Sequence, residues 1–103
     1  MLIYNVTVNI DGDVEAEWKK WMKETHIPEV LATGRFTGSK FLRLLNEVPD
    51  ATGNTYAIQY YAENIGQLEA YLDNEAAGLR KRHNDAFGAK IVAFRTVLEE
   101  VED

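Results

Sequence analysis

The sequence predicts an α+β fold of the ferredoxin-like βαββαβ kind, a four-stranded antiparallel sheet with two helices on one face. Three observations predict it. Apolar and polar residues alternate over residues 2–10, the pattern of a half-buried strand. Apolar stripes at helical spacing run through residues 14–26 and 65–87. The turn-rich segment VPDATG separates the two middle strands.

The elements follow in order. Strand one turns Leu2, Tyr4, Val6, Val8 and Ile10 one way and Ile3, Asn5, Thr7 and Asn9 the other. The turn DGD comes next, with Asp13 as the expected cap and Glu15 and Glu17 suited to the positive end of a helix. Helix one carries Val14, Trp18, Trp21, Met22 and Thr25 on its apolar side. Pro28 donates no backbone hydrogen bond, so the helix is expected to end near His26, with PEVLAT forming a short second piece that Gly34 stops. FTGSKFLRLLNE and NTYAIQYYA read as strands two and three. Asn64 caps helix two, with Gln67 in capping-box position and an apolar stripe of Ile65, Leu68, Leu72, Ala76, Leu79, His83 and Phe87. Gly88 ends that helix, and AKIVAFRTVLEE is the last strand.

Residues 1–103 are expected to form a single domain, large enough for a core and too small for two. Seventeen acidic against eleven basic residues give a charge of −6, which disfavours nucleic acid and anionic membrane as partners. The absence of cysteine removes thiolate metal sites and cysteine nucleophiles. No basic n-region precedes the first strand and no run reaches membrane-spanning length, so a cytoplasmic protein is expected.

Strands two to four carry large apolar residues on both sides. Phe36, Leu42 and Leu44 oppose Phe41 and Leu45; Tyr56, Ile58 and Tyr60 oppose Ala57, Gln59 and Tyr61; Ile91, Ala93 and Val97 oppose Val92, Phe94 and Leu98. Strands apolar on both faces are covered on both. With no chain left over, the cover is a second copy, seated on the side shared with Asn5.

Two sheets paired this way make a dimeric α/β barrel. The pattern IYNVTVNID, W..WM...HIPEVLATG, TYAIQYY and AFRTVLEE, spread over nearly the whole chain, resembles a small uncharacterised bacterial family of unknown function with that fold. The superfamily it resembles includes antibiotic-biosynthesis-type monooxygenases, haem-degrading monooxygenases, muconolactone-isomerase-like enzymes and stress-responsive barrel proteins. The resemblance implies the fold; a reaction does not travel with a fold.

His26 is the candidate catalytic residue. Trp21, a four-residue spacer, His26 and Pro28 resemble a Trp–spacer–His–x–Pro pattern of one branch, with a spacer one residue longer, and there the histidine looks into a cleft beside the sheet. The competing reading has His26 satisfying backbone groups freed by Pro28. Trp21 is taken as a ligand-binding neighbour. Asn5, Thr7, Gln59 and Arg95 are polar residues within strands and need partners when buried. Asn5, Gln59 and Arg95 are expected to converge across the neighbouring strands, either as a structural network or inter-subunit pair or as a site in which Arg95 anchors an anion.

The haem-degrading branch resembles this chain in an asparagine on strand one and a histidine late in helix two, positions that Asn5 and His83 occupy. That branch also has a tryptophan in helix two, and none stands here, so no haem or other cofactor is expected and His83 reads as a core-edge histidine. The histidines with nearby carboxylates in HIPE and HND make no convincing metal site. The functional expectation is a homodimer binding a small, partly apolar molecule between helix one and the sheet. The alternatives are a cofactor-independent monooxygenase or isomerase and a purely structural dimerisation module.

Overall fold

A computed structural model describes residues 1–46 and 52–102. The fold is α+β and ferredoxin-like. Strand β1 (Leu2–Ile10) leads through a 3-10 turn (Gly12–Val14) into helix α1 (Glu15–Trp21), a π-helical turn (Met22–His26) and helix α2 (Ile27–Ala32). Strands β2 (Gly38–Arg43) and β3 (Asn54–Ala62) follow, then helices α3 (Ile65–Asn74) and α4 (Ala76–Phe87) and strand β4 (Ile91–Glu99). The sheet order is β2-β3-β1-β4, with every neighbouring pair antiparallel.

Alternation decides which face each strand residue takes. Tyr4, Val6, Val8 and Ile10 of β1 lie buried under the helices, as do Tyr56, Ile58 and Tyr60 of β3. Trp18, Met22, Ile27 and Val30 pack down from the first helical run, and Leu68, Tyr71, Ala76 and Phe87 from the second. Phe36 does not share a face with Leu42: it precedes β2 and turns into the core, its ring 4.8 Å from that of Tyr71. Gly53 is required where the chain enters β3, since it holds φ +71° and a Cβ there would lie 2.3 Å from the Ile10 carbonyl oxygen. The VPDATG segment that the sequence assigns to a loop falls largely outside the described residues.

Local expectations are corrected at four places. The cap before helix α1 is Asp11, whose carboxylate accepts from the Asp13 amide at 3.0 Å, so Asp13 lies inside the turn it was expected to begin. The first helix does not stop at His26 but continues through a wide turn into α2. The second helical run breaks at Glu75 (φ −117°), where Arg35 holds the Glu75 carboxylate at 3.0 Å. That break resets the helical phase, burying Tyr71 and leaving Ile65 and Leu72 exposed. Strands β2 and β4 are shorter than the apolar runs that announce them. The Asn64 cap stands, with its side chain accepting from the Gln67 amide at 3.0 Å, although the Gln67 side chain reaches towards Arg35 and not back to the cap.

Candidate functional site

The π-helical turn sets the position of His26. The Ile27 amide bonds to the Met22 carbonyl, one residue further back than in an α-helix. Pro28 would crowd the Glu24 carbonyl in a tight turn and has no N–H to give it. Widening the turn relieves that crowding while Ile27 keeps helical angles of −60° and −46°, against the usual bias before proline. The extra residue held by the wide turn matches the longer spacer between Trp21 and His26. Its effect is to bring Met22 and His26 onto one wall of a cleft.

That cleft lies under both helical runs and not under helix one alone. His26 and Val30 line it from the first run, Tyr71, Leu79, Arg80 and His83 from the second, and Tyr4, Val6, Tyr60 and Arg95 from the sheet. It spans about 350 Å³ with its mouth, but it is tight, and some 20 Å³ admits a water molecule.

Inside it, His26 is only 7% exposed and its Nδ1 is buried without a hydrogen-bond partner. Its ring stacks on Trp21 at 4.9 Å and lies 5.1 Å from the ring of His83. His83, 2% exposed, accepts a hydrogen bond at Nε2 from the Trp18 indole at 3.0 Å. An indole N–H can only donate, so the proton of neutral His83 sits on Nδ1. Burial above all brings both imidazoles down to a pKa of about 4; Glu29 works against this at His26, Arg82 and Arg95 with it, and at His83 His26 and Arg95 add to the effect of burial. Both are neutral at pH 7.

Arg95 comes from the centre of β4. Its Nε is buried without an acceptor, and among the described residues no carboxylate lies within ion-pair distance of it. Arg80 donates to the Tyr4 hydroxyl at 3.1 Å. Burial raises the Tyr60 and Tyr71 phenols, which therefore stay protonated. None of the residues lining the cleft is an Asp or a Glu.

The expected convergence of strand residues is not found. Arg95 faces the helices because it stands opposite Val6, whereas Asn5, opposite Gln59 and Thr96, lies on the other side of the sheet. A one-residue difference in strand parity separates them completely. Asn5 donates to Thr7 at 3.1 Å, and its carbonyl oxygen is buried without a donor. Trp21 does not line the cleft; it backs His26 and meets the Phe87 ring edge-on at 5.5 Å. The structure thus joins His26 to Arg95 and leaves Asn5, Thr7 and Gln59 as a separate group. It adds His83, Trp18, Tyr71 and Arg80, of which only His83 carried a sequence signal: a polar ring placed in phase on an apolar stripe.

The model of the family described as domain of unknown function DUF4286 matches residues 1–101, and the chain belongs to that family. No curated protein matches the chain. Its fold is similar to that of an ethyl tert-butyl ether D (EthD) family protein from Bacillus halodurans C-125, with a TM-score of 0.67 at 14% identity, covering 98% of this chain and 100% of the other. It is similar to a variant of MhuD with two manganese protoporphyrin IX molecules per active site, with a TM-score of 0.69 at 16% identity and coverage of 100% and 97%. SnoaB of Streptomyces nogalater, a cofactor-independent oxygenase, gives 0.61 at 12% identity, with coverage of 99% and 95%. At such identities the likeness is one of fold.

The residues here do not fit a porphyrin. Asn5 and His83 lie on opposite sides of the sheet, the Trp18 indole occupies Nε2 of His83, and the cleft is far too narrow.

Proposed function

We propose that this DUF4286 chain binds a small, partly apolar molecule in the cleft between its two helical runs and its sheet. The observation that carries this reading is the free Nδ1 of His26, buried on a cleft that also holds His83 and Arg95. A histidine kept for packing would have its buried nitrogens satisfied, because an unmet buried polar group costs about 1–3 kcal/mol. The competing role, tying off backbone groups freed by Pro28, leaves Nδ1 unexplained. His26 is the group placed to bond a ligand or exchange a proton with it, and Trp21 holds its ring in place.

The test is a fragment screen by ligand-observed NMR, repeated on His26→Asn. Fragments that bind the parent should bind this variant at least tenfold more weakly, while its thermal midpoint shifts by only a few degrees. A fragment held equally by both proteins removes His26 from the site. An enzymatic version of the same reading draws support from the fold shared with SnoaB and from a neutral imidazole available as a base.

The open face of the sheet is assigned to a second copy of the chain. Val92 is 71% and Phe94 61% exposed there, beside exposed Leu42 and Leu98, and no helix of the described residues covers them. Asn5, Thr7 and Gln59 then belong to the dimer interface and not to the ligand. Light scattering should return twice the monomer mass at micromolar concentration; a monomer would end this assignment.

A further inference from the structure

We propose that the cleft takes its ligand as an organic anion, a carboxylate whose oxygens are held by Arg95 and by the Nδ1–H of His83, with Trp18 as the positioning residue that fixes that donor. The inference rests on the small-molecule reading and specifies the chemistry it leaves open.

The cleft has hydrogen-bond donors without acceptors to meet them. Arg95 brings a guanidinium that no carboxylate of the described residues neutralises, and its Nε has no partner. A guanidinium always donates and cannot shed its charge to suit a buried place. His83 is tied at Nε2 to an indole that can only donate, which leaves Nδ1–H as its remaining polar function. The Tyr71 phenol is kept protonated by burial and also lines the cleft. Against these stand no Asp or Glu among the lining residues, in a chain with seventeen acidic residues and a charge of −6. An acidic protein that keeps carboxylates out of one cleft and aims an unneutralised arginine into it provides for an incoming negative charge. A carboxylate satisfies several donors at once, whereas a neutral ligand would leave the guanidinium charge and its buried Nε unmet.

Trp18 matters because a neutral imidazole has two tautomers. Without the indole, the proton of His83 could move to Nε2 and turn an acceptor towards the anion, which would be repulsive. The indole excludes that arrangement.

The experiment uses formate and acetate, the acids small enough for so tight a cleft, each against its amide (formamide and acetamide), at constant ionic strength. Binding is read by the Trp18 indole N–H and the histidine ring resonances in two-dimensional NMR of the parent, Arg95→Gln and Trp18→Phe. The acids should shift the His26 and His83 signals saturably, and the Trp18 signal where it is present. The amides should bind at least tenfold more weakly, Arg95→Gln should weaken the acids at least tenfold, and Trp18→Phe should weaken them severalfold. Backbone amide spectra establish that the variants are folded, and Arg95→Met, which also removes the charge, replaces Arg95→Gln if the latter is not. Amides binding as well as acids would overturn the anion assignment while leaving the small-molecule reading standing. Acids that bind parent and Arg95 variants alike, or that shift signals elsewhere, would overturn it too. If no acid binds while neutral fragments from the screen do, the inference alone fails; if neither class binds, both fail.

Discussion

The two faces of the sheet are built from the same strands and solve the burial of polar groups in opposite ways. On the helix side, two buried histidines and the half-buried Arg95 stand among apolar residues, and unmet atoms of His26 and Arg95 border a cleft. On the open side, Lys40, Gln59, Asn5 and Thr96 form a polar row across all four strands whose one charge stands at the exposed β2 edge, between a row through Leu42, Ala57, Thr7 and Phe94 and an apolar one through Tyr61, Ile3 and Leu98. Amides and hydroxyls cost little at a protein–protein interface, where a facing amide can satisfy them, and one such group can set register. A charge beside two imidazoles suits a small ligand better than a second protein. Strand parity sends Arg95 to one face and Asn5, Gln59 and Thr96 to the other, and the two faces become different kinds of surface.

The comparison can be broken most sharply at Phe94. Phe94→Asp puts a charge at the β4 end of its row and should raise the dimer dissociation constant at least about thirtyfold, since truncating an aromatic anchor often costs about 2 kcal/mol or more. Light scattering against concentration measures this, and a variant as dimeric as the parent would show that the open face is not the interface.

The next effect belongs to the helix side. An unfolded histidine titrates at 6.5, whereas His26 and His83 in the folded protein resist protonation until about pH 4. Stability that is complete above pH 6.5 should therefore fall as the pH drops towards 4, because over that window the unfolded chain binds protons that the folded one refuses. The loss is on the order of 3 kcal/mol for one imidazole taken alone, and the two are not additive because His26 bears on His83. Urea unfolding at pH 7.5 and pH 4.5 should show it, and His26→Asn should flatten the slope. An unchanged slope would mean that His26 is not titrating from a buried, neutral state.

The smallest effect sharpens the internal anatomy of the cleft. Trp18→Phe removes the indole donor and leaves His83 Nε2 without one, a cost of about 1–3 kcal/mol. The nitrogen shifts of His83 should move from those of a single Nδ1–H tautomer to a mixture. If they do not, something other than Trp18 fixes the ring.

Much of the fold is legible in the residues themselves. The alternation of Leu2 to Ile10 and of Asn54 to Ala62 fixes both strands and the faces of their side chains, because the strand period is two and one side must be buried. The Asn64 cap and the Gly34 stop, at φ +78°, are equally local, since each depends on the conformational preference of one residue. His26 could be singled out as a buried histidine beside a proline. Arg95 could be singled out as a charge in an apolar run, and its parity with Ile91 and Ala93 already places it on their side of the sheet.

Other features depend on what the chain meets after folding. The break at Glu75 is held by Arg35, forty residues away in sequence, and it turns Tyr71 inwards in place of Leu72. The pairing of His83 with Trp18 crosses sixty-five residues. The passage of the helix through Pro28 as a π turn reverses a sound local expectation, because keeping Met22, His26, Ile27 and Val30 buried together offsets the lost hydrogen bond. Propensity and periodicity assign a residue to a face; which residues of two faces meet is set by register, helix phase and the packing of side chains distant in sequence. The strands and the faces of their side chains were therefore determined by the sequence read locally, while the rows across the sheet and the meeting of His26, His83 and Arg95 were decided by tertiary structure.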